Sequence, residues 1–512
     1  MERCAQGQGP LMSIPAEQAD VAAFLADLAG RPARQTHISA VFIGKDTVWK
    51  LKKAVRLPFL DFSTLSAREH FLRRELDINR AAAPGLYQDV VAIGRGPDGR
   101  LALGVEPAID WVLRMARVPE DDFLEAVAAR GGLTPALLDA LGDAVVRDQA
   151  LRPAVAVWDS AAALLRVAAG NADSAMAAAL PRTDVIAWRD RTEAAIEALR
   201  GWLADRVPLG CVRRCHGDLH LGNLCLWHGN PVAFDALEFD EALATIDIGY
   251  DLAFLLMDLE HRISRSAANR VMNRALARTG DVGMTRGLPV FLSLRAMVRA
   301  HIAAAMGKGA DAAAYLAAAQ AYLAPPPPVV VAIGGLQGTG KSTLARRLAP
   351  DLGGSPGAVI LRSDEIRKRL FGRAPEDRLP PEGYAEDANR SVNAALAAMT
   401  RETAAAGQAV IVDATLLDAE LRQSVQAAAR AAGIPFFGVW LHAPLEELER
   451  RIAARRGDAS DATVDVLRQT ARTAEPPSES PSDWHFADAM DLDAAARDVL
   501  AACQRPGCQS SG

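Results

Sequence analysis

RRCHGDLHLGNLCLWHGNPVAFDALEFD, Arg213 to Asp240, gathers three of the chain's nine histidines, two of its six cysteines and four carboxylates into 28 residues. A metal centre, a structural hairpin or a phosphate-handling loop would each use such a stretch, and spacing separates them. His216-Gly217-Asp218-Leu219-His220-Leu221-Gly222-Asn223 keeps H-x-D-x-x-x-x-N, and the apolar run PVAFD puts Asp235 twelve residues beyond Asn223. That set suits phosphoryl transfer: Asp218 as the base that takes a hydroxyl proton, Asn223 and strand-end Asp235 as oxygen ligands for Mg²⁺. A structural zinc site would need paired spacing among Cys211, Cys215, Cys225, His220 and His228, and no C-x-x-C pair occurs. A hairpin alone requires neither the His-x-Asp nor the strand-end Asp.

Upstream, AVFIG and TVWKLKK flank a Gly44-Lys45-Asp46 turn, and AREHFLRRELDINRAAA has helical apolar spacing. The strand should hold the lysine that grips the α- and β-phosphates. Lys50 is preferred; Lys52 shares its face by two-residue alternation and stays open as the alternative. Glu75 is the expected partner, with Glu69 in reserve. Only Gly44 precedes the lysine, so no glycine-rich loop covers phosphate here. Backbone groups near Trp111 to Met115 occupy the position that would meet adenine. From about Asp121 to Leu203, Ala and Leu at helical spacing predict a mostly α region.

Pro325 to Pro328 form a short semi-rigid linker, because successive prolines cannot continue a helix. Beyond it, the runs VVVAI, AVILR, AVIVDA and FFGVWLHA alternate with helical patterns, which predicts a parallel sheet covered on both faces. Gly335-Leu336-Gln337-Gly338-Thr339-Gly340-Lys341-Ser342-Thr343 matches G-x-x-x-x-G-K-[ST] between a strand and a helix. Glycines let backbone N–H groups turn toward phosphate, Lys341 meets the β- and γ-phosphates, and Ser342 offers a hydroxyl to Mg²⁺. AVILR leads into Arg362-Ser363-Asp364-Glu365-Ile366-Arg367, where Asp364 is a candidate base and Arg367 a candidate acceptor-binding group; Asp364 as a helix N-cap is the blander reading. AVIVDAT ends at Asp413, a candidate to orient Mg²⁺ or its waters. Arg450, Arg451, Arg455 and Arg456 suit either a lid over the transferring group or a solvated helix face.

Residues 329 to 475 resemble the P-loop kinases that include gluconate kinase, chloramphenicol phosphotransferase, zeta toxin and the kinase domain of bacteriophage polynucleotide kinase. The last implies proton abstraction for Asp364, substrate binding for Arg367 and a lid role for Arg456. Residues 36 to 310 resemble the aminoglycoside phosphotransferase-like branch of the protein kinase fold, whose H-G-D-x-x-x-x-N loop has glycine where protein kinases have arginine, as at Gly217. The later Asp247-x-x-x-Asp251-Leu-Ala is similar to that branch's helix-opening segment, which implies that Asp251 braces the catalytic loop. The whole arrangement resembles a bacterial bifunctional family that joins these two modules.

The expectation is therefore a multidomain chain. Residues 1–35 form an extension, 36–323 a two-lobed α+β kinase-like domain, 324–328 the linker, 329–500 an α/β P-loop domain and 501–512 a tail. ATP and Mg²⁺ are the implied cofactors and a small-molecule hydroxyl the implied acceptor. Two alternatives are that only the P-loop domain is catalytic, with the kinase-like domain a regulatory binder, or that nucleotide gates an interaction protein. A formal charge of −6, from 57 basic and 63 acidic residues, gives no support to nucleic-acid partners or a polybasic membrane surface. No charged start followed by an apolar core, and no uninterrupted apolar run of spanning length, predict a cytoplasmic protein with reduced thiols.

Overall fold

The computed structural model describes residues 13–57, 60–454, 460–477 and 484–503. The chain divides into two compact units, Met1–Asp258 with Val290–Leu323, and Leu259–Pro289 with Ala324–Gly512. The division thus differs from a single cut at the proline run, because Leu259–Pro289 belongs with the second unit although it precedes the linker.

In the first unit a helix, Ala19–Ala29, packs through Val21 and Leu25 on an antiparallel sheet of β1 (Arg34–Gln35), β2 (Ser39–Ile43), β3 (Thr47–Lys52), β4 (Tyr87–Arg95), β5 (Leu101–Leu103) and β6 (Ala108–Ala116), in the order β1-β2-β3-β6-β4-β5. The β2–β3 turn closes through Gly44 N–H to Thr47 O at 2.9 Å, and Arg117 Nη1 donates to Gly44 O and Lys45 O. It is a short turn, pinned from Arg117. Helix α1 (Leu65–Asn79) starts at Thr64, whose hydroxyl accepts from Ala67 N–H, and buries Arg68, Leu72, Glu75, Leu76 and Asn79 along one stripe. That stripe is what carries a glutamate into the interior.

Helices Pro135–Leu151, Ser160–Ala177 and Arg182–Ala198 follow, as the Ala/Leu periodicity predicts. Two small antiparallel pairs then frame the opening stretch: β7 (Val212–Arg214) with β10 (Thr245–Asp247), and β8 (Leu224–Trp227) with β9 (Asn230–Ala233). Asp218 and Asn223 lie on the loop between β7 and β8, and Asp235 comes two residues after the end of β9. An antiparallel sheet with helices Ala19–Ala29 and α1 against it, then a helical lobe, is the two-lobed kinase-like arrangement.

In the second unit, β11 (Val330–Gly335), β12 (Val359–Arg362), β13 (Val410–Asp413), β14 (Phe436–His442) and β15 (Trp484–Asp488) form a parallel sheet in the order β12-β13-β11-β14-β15. Four of the strands coincide with the apolar runs; β15 lacked such a run. Val331, Ile333, Leu344, Leu348, Ile411 and Val439 are fully buried in its core, each stabilising by roughly 1.5–3 kcal/mol.

The edge strand β12 exposes backbone groups that must find partners. Helix α2 (Arg265–Thr279) supplies them: Asn273 Oδ1 accepts Ile360 N–H at 2.7 Å, while Asn269 and Asn273 Nδ2 donate to Ala358 O at 3.0 and 3.1 Å. Two asparagine amides act as a surrogate strand. Asn273→Ala strands the Ile360 N–H and is expected to lower the stability of the second unit by about 1–3 kcal/mol. An unchanged urea midpoint in the full chain would show that the edge finds other partners.

The segment Val282–Ala305 is long and apolar enough to cross a bilayer by length and composition, with mean hydropathy 1.3, although Arg286, Arg295 and Arg299 interrupt its apolar run. It is 72% buried within the protein, as a core helix would be.

Candidate functional site

The first site is organised by a buried chain of ions. Lys50 Nζ lies 2.7 Å from Asp235 Oδ1 and 2.9 Å from Glu75 Oε1; Lys52 Nζ lies 2.8 Å from Glu75 Oε2 and 2.5 Å from Glu238 Oε1. Both lysines thus meet Glu75, and the register separates them: Lys50 faces Asp235, Lys52 faces Glu238. Glu69 instead pairs with Arg73 at the surface. Three carboxylates against two ammonium groups leave one negative charge, and Asp235 is the most exposed carboxylate, at 18%. That excess sits where a cation carried in with a nucleotide would be needed, so the donor set fits Mg²⁺.

Asp235 adopts φ 61°, a left-handed conformation that costs a non-glycine residue energy. Its N–H donates to Tyr87 Oη at 2.9 Å, and the next N–H donates to Asn79 Oδ1 at 2.9 Å. Helix α1 and β4 therefore aim this carboxylate. Burial opposes its charge, but the ammonium of Lys50 outweighs burial and holds it at about 2.

Asp218 is fully buried, and Asn223 Nδ2 donates both to its Oδ2 at 2.9 Å and to its backbone oxygen at 3.0 Å. Both bonds use the amide nitrogen, which leaves Oδ1 as the atom a hard cation would take. His216 accepts Asp218 N–H at Nδ1 and donates from Nε2 to Phe234 O at 2.9 Å. Burial holds this imidazole down to about 3, so it is a neutral strut rather than an acid. Gly217, at φ 84°, donates its N–H to Asp251 Oδ1 at 2.9 Å, and Leu221 N–H donates to Asp258 Oδ2 at 3.0 Å. Two carboxylates of helix Ile248–Arg262 thus clamp the loop from behind; Asp258 carried no recognisable signal in the sequence.

A cleft of about 180 Å³ adjoins Lys50 and Asp235, lined by Val41, Val48, Met115, Val118 and Phe234. Its apolar walls suit a flat heterocycle, and they lie at and just beyond Met115, the end of the segment expected to meet adenine. Among the described residues, no group of three or more His, Cys, Asp or Glu side chains is gathered as a metal cluster.

The second site is a larger polar cleft of about 840 Å³, which brings together Gly338, Lys341, Ser342, Asp364, Arg367 and Asp413, with Gly340 and Thr343 also on its wall. Gly335, at φ 131°, must be glycine: a Cβ there would lie 2.4 Å from Leu441 O. Gly340 caps helix α3 (Lys341–Leu348), and Thr339 Oγ1 donates to Leu336 O at 2.8 Å. Lys341 Nζ donates to Gly335 O and Leu336 O at 3.0 and 2.9 Å, so its ammonium already lies across the loop.

Helix α4 (Ser363–Leu370) has Arg362 as its N-cap residue, so Asp364 lies inside the first turn and not at the cap. Burial pushes the Asp364 carboxyl above the ordinary range, with Asp413 adding to it against the opposing charges of Arg362 and Lys341. A raised carboxyl holds a proton more readily than an ordinary one, which is the direction base work favours. Arg362 contacts Glu365 at 3.0 Å and Asp413 at 3.2 Å. Asp413 Oδ2 still makes no aligned hydrogen bond. Arg367 Nη1 donates to Gly383 O at 2.7 Å, its guanidinium stacks 5.0 Å from the Tyr384 ring, and its Nε is buried with no hydrogen-bond partner. Tyr384 Oη in turn donates to Asp461 Oδ2 at 2.6 Å. Tyr384 and Asp461 leave no mark in the sequence because they reach the cleft from segments 77 residues apart. Arg450 and Arg451 both pair with Glu447, and Arg451 lines the cleft. Arg455 and Arg456 lie outside the described residues.

Residues 60–288 match the model of the phosphotransferase enzyme family, and residues 330–477 match that of an AAA domain. A Mycobacterium tuberculosis protein described only as uncharacterised is 28% identical over 461 residues, covering 86% of this chain and 89% of its own. An adenylyl-sulfate kinase of Myxococcus xanthus is 36% identical over 120 residues, 23% of this chain and 59% of that enzyme. Among solved structures, a glucosamine kinase aligns with TM-score 0.36 at 18% identity, over 58% of this chain and 80% of that one.

Proposed function

We propose, for a chain that joins a phosphotransferase-family domain to a P-loop domain, an ATP- and Mg²⁺-dependent enzyme with two separate sites, each moving a γ-phosphoryl group to a small-molecule hydroxyl. The observation that carries this is the assembly, twice in one chain, of a buried carboxylate beside a phosphate-directed lysine. In the first unit Lys50 would hold the α- and β-phosphates, Asn223 and Asp235 would offer oxygen ligands, and Asp218 would take the acceptor's proton. In the second, Lys341 and the loop N–H groups would hold phosphate, Ser342 would offer a metal ligand, Asp364 would take the proton and Arg367 would orient the acceptor. Bound Mg²⁺ would supply charge neutralisation on the β- and γ-phosphates. The unpartnered Nε of Arg367 favours an acceptor that carries its own anionic group.

The pinned β2–β3 turn favours a second reading, in which the first unit binds nucleotide and regulates without turning over. Incubation of the chain with ATP, Mg²⁺ and a metabolite extract, followed by mass spectrometry, tests for transfer; ADP release with no phosphorylated product would sink the proposal.

The raised carboxyl of Asp364 sets a pH dependence. As a base it works ionised, so the second unit's kcat/KM rises with pH through its raised value, placing the acid limb above the ~4 of an ordinary carboxylate. Asp364→Asn is expected to abolish that limb along with most of the rate. An acid limb at the same pH in Asp364→Asn would assign the titration elsewhere.

A further inference from the structure

We propose that the first unit holds a separate anion site, a cleft of about 530 Å³ on the outer side of α1 where Arg74 and Arg214 bind a phosphate-class dianion. The stripe of α1 that buries Glu75 leaves Arg73, Arg74 and Asp77 on the other side of the helix. Arg152, from the end of helix Pro135–Leu151, and Arg214, from β7, complete a wall of four guanidinium groups.

Two of the four are already satisfied. Arg73 pairs with Glu69 at 2.9 Å and Arg152 with Asp148 at 2.6 Å. The other two share one carboxylate, because both Arg74 and Arg214 reach Glu241 Oε1. Arg74 Nε is buried with no hydrogen-bond partner. The crowding registers in Arg214, which burial first, and then the charges of Arg152 and Arg74, hold down to about 10. Arg214 is held by Cys215 O at Nη1 and by Leu237 O at Nη2, so Glu241 meets only its Nε, while Arg74 keeps an unfilled Nε; a phosphate dianion presents three oxygens to these two groups where Glu241 presents one. Glu241 is 51% exposed, so it can turn into water when displaced.

The position gives the site a consequence. Arg214 also donates to Leu237 O, and Leu237 and Glu241 lie on the segment that runs on from Asp235 through Glu238. An anion that draws Arg74 and Arg214 away from Glu241 therefore acts on both supports of the ion chain, α1 through Glu75 and this segment through Glu238. The ligand is either free phosphate or a phosphate monoester, and the site is independent of which acceptor the first unit takes.

The test is calorimetric titration of orthophosphate, and in a parallel arm glycerol phosphate, into the full chain saturated with Mg²⁺ and a non-hydrolysable ATP analogue. One saturable event is expected, at least tenfold weaker in Arg74→Gln. In Glu241→Gln, which keeps both guanidinium groups and removes their internal competitor, it should be several-fold tighter. The stronger of the two ligands identifies the source. Absence of saturable binding in both the native chain and Glu241→Gln overturns the proposal. So does equal affinity in Glu241→Gln and the native chain, a result that stands even where Arg74→Gln fails to fold.

Discussion

Asp218→Asn should lower phosphoryl transfer by the first unit by about 10²–10⁴ while leaving nucleotide affinity in place. The reason lies in what Asp218 touches. Its carboxylate contacts Asn223 Nδ2 and lies 3.5 Å from His220 Nε2, whereas Lys50 pairs with Asp235 and Glu75. Asparagine keeps the volume of the side chain and removes its capacity to accept a proton. Measured in a Lys341→Ala background, which is expected to silence the P-loop site, the loss should fall on kcat rather than KM. An unchanged rate would leave the first unit as a nucleotide binder with no base.

Lys52→Met carries the second large effect. Lys52 is fully buried, and its ammonium is shared between Glu75 and Glu238, both nearly or wholly buried. Removing it leaves two carboxylates facing each other across an apolar side chain, and breaking a buried pair in this way costs about 3–5 kcal/mol. Glu75 would also lose one of the two partners that hold it against Lys50, so nucleotide affinity should fall as well. Pairing Lys52→Met with Glu238→Gln removes one of the stranded charges, and the double variant should be less destabilised than the sum of the singles. Urea unfolding of the full chain reads the difference. A loss below about 1 kcal/mol would mean the chain of ions relaxes into water and does not position Glu75.

The parts legible in the sequence are those where chemistry and local geometry share a short segment. Gly335 to Thr343 needs a strand, a turn and a helix in immediate succession, and all three leave marks within nine residues. Asp218, Asn223 and Asp235 are spaced by one loop and one hairpin, so their separation is a local property too. Alternation put Lys50 and Lys52 on one face, but only the sheet register and the path after Asp235 show that each lysine has its own second carboxylate. In the sequence Glu238 is one of four carboxylates in the opening stretch, with no spacing that marks Lys52 as its partner. The contacts of Arg362 with Asp413, and of Tyr384 with Asp461, bridge 51 and 77 residues and have no spacing rule to reveal them. Helix α2 was least legible of all, because its apolar pattern says that it packs and not upon what. Its asparagines read as ordinary polar residues until β12 shows an edge for them to cover.

The central claim is that one chain holds two independent phosphoryl-transfer centres. The direct measurement is the product spectrum formed from ATP and a metabolite extract by the native chain, Asp218→Asn, Lys341→Ala and the double variant. Each single variant should lose one phosphorylated product and keep the other, and the double variant should form neither. Retention of every product at native rates in Asp218→Asn would contradict the account.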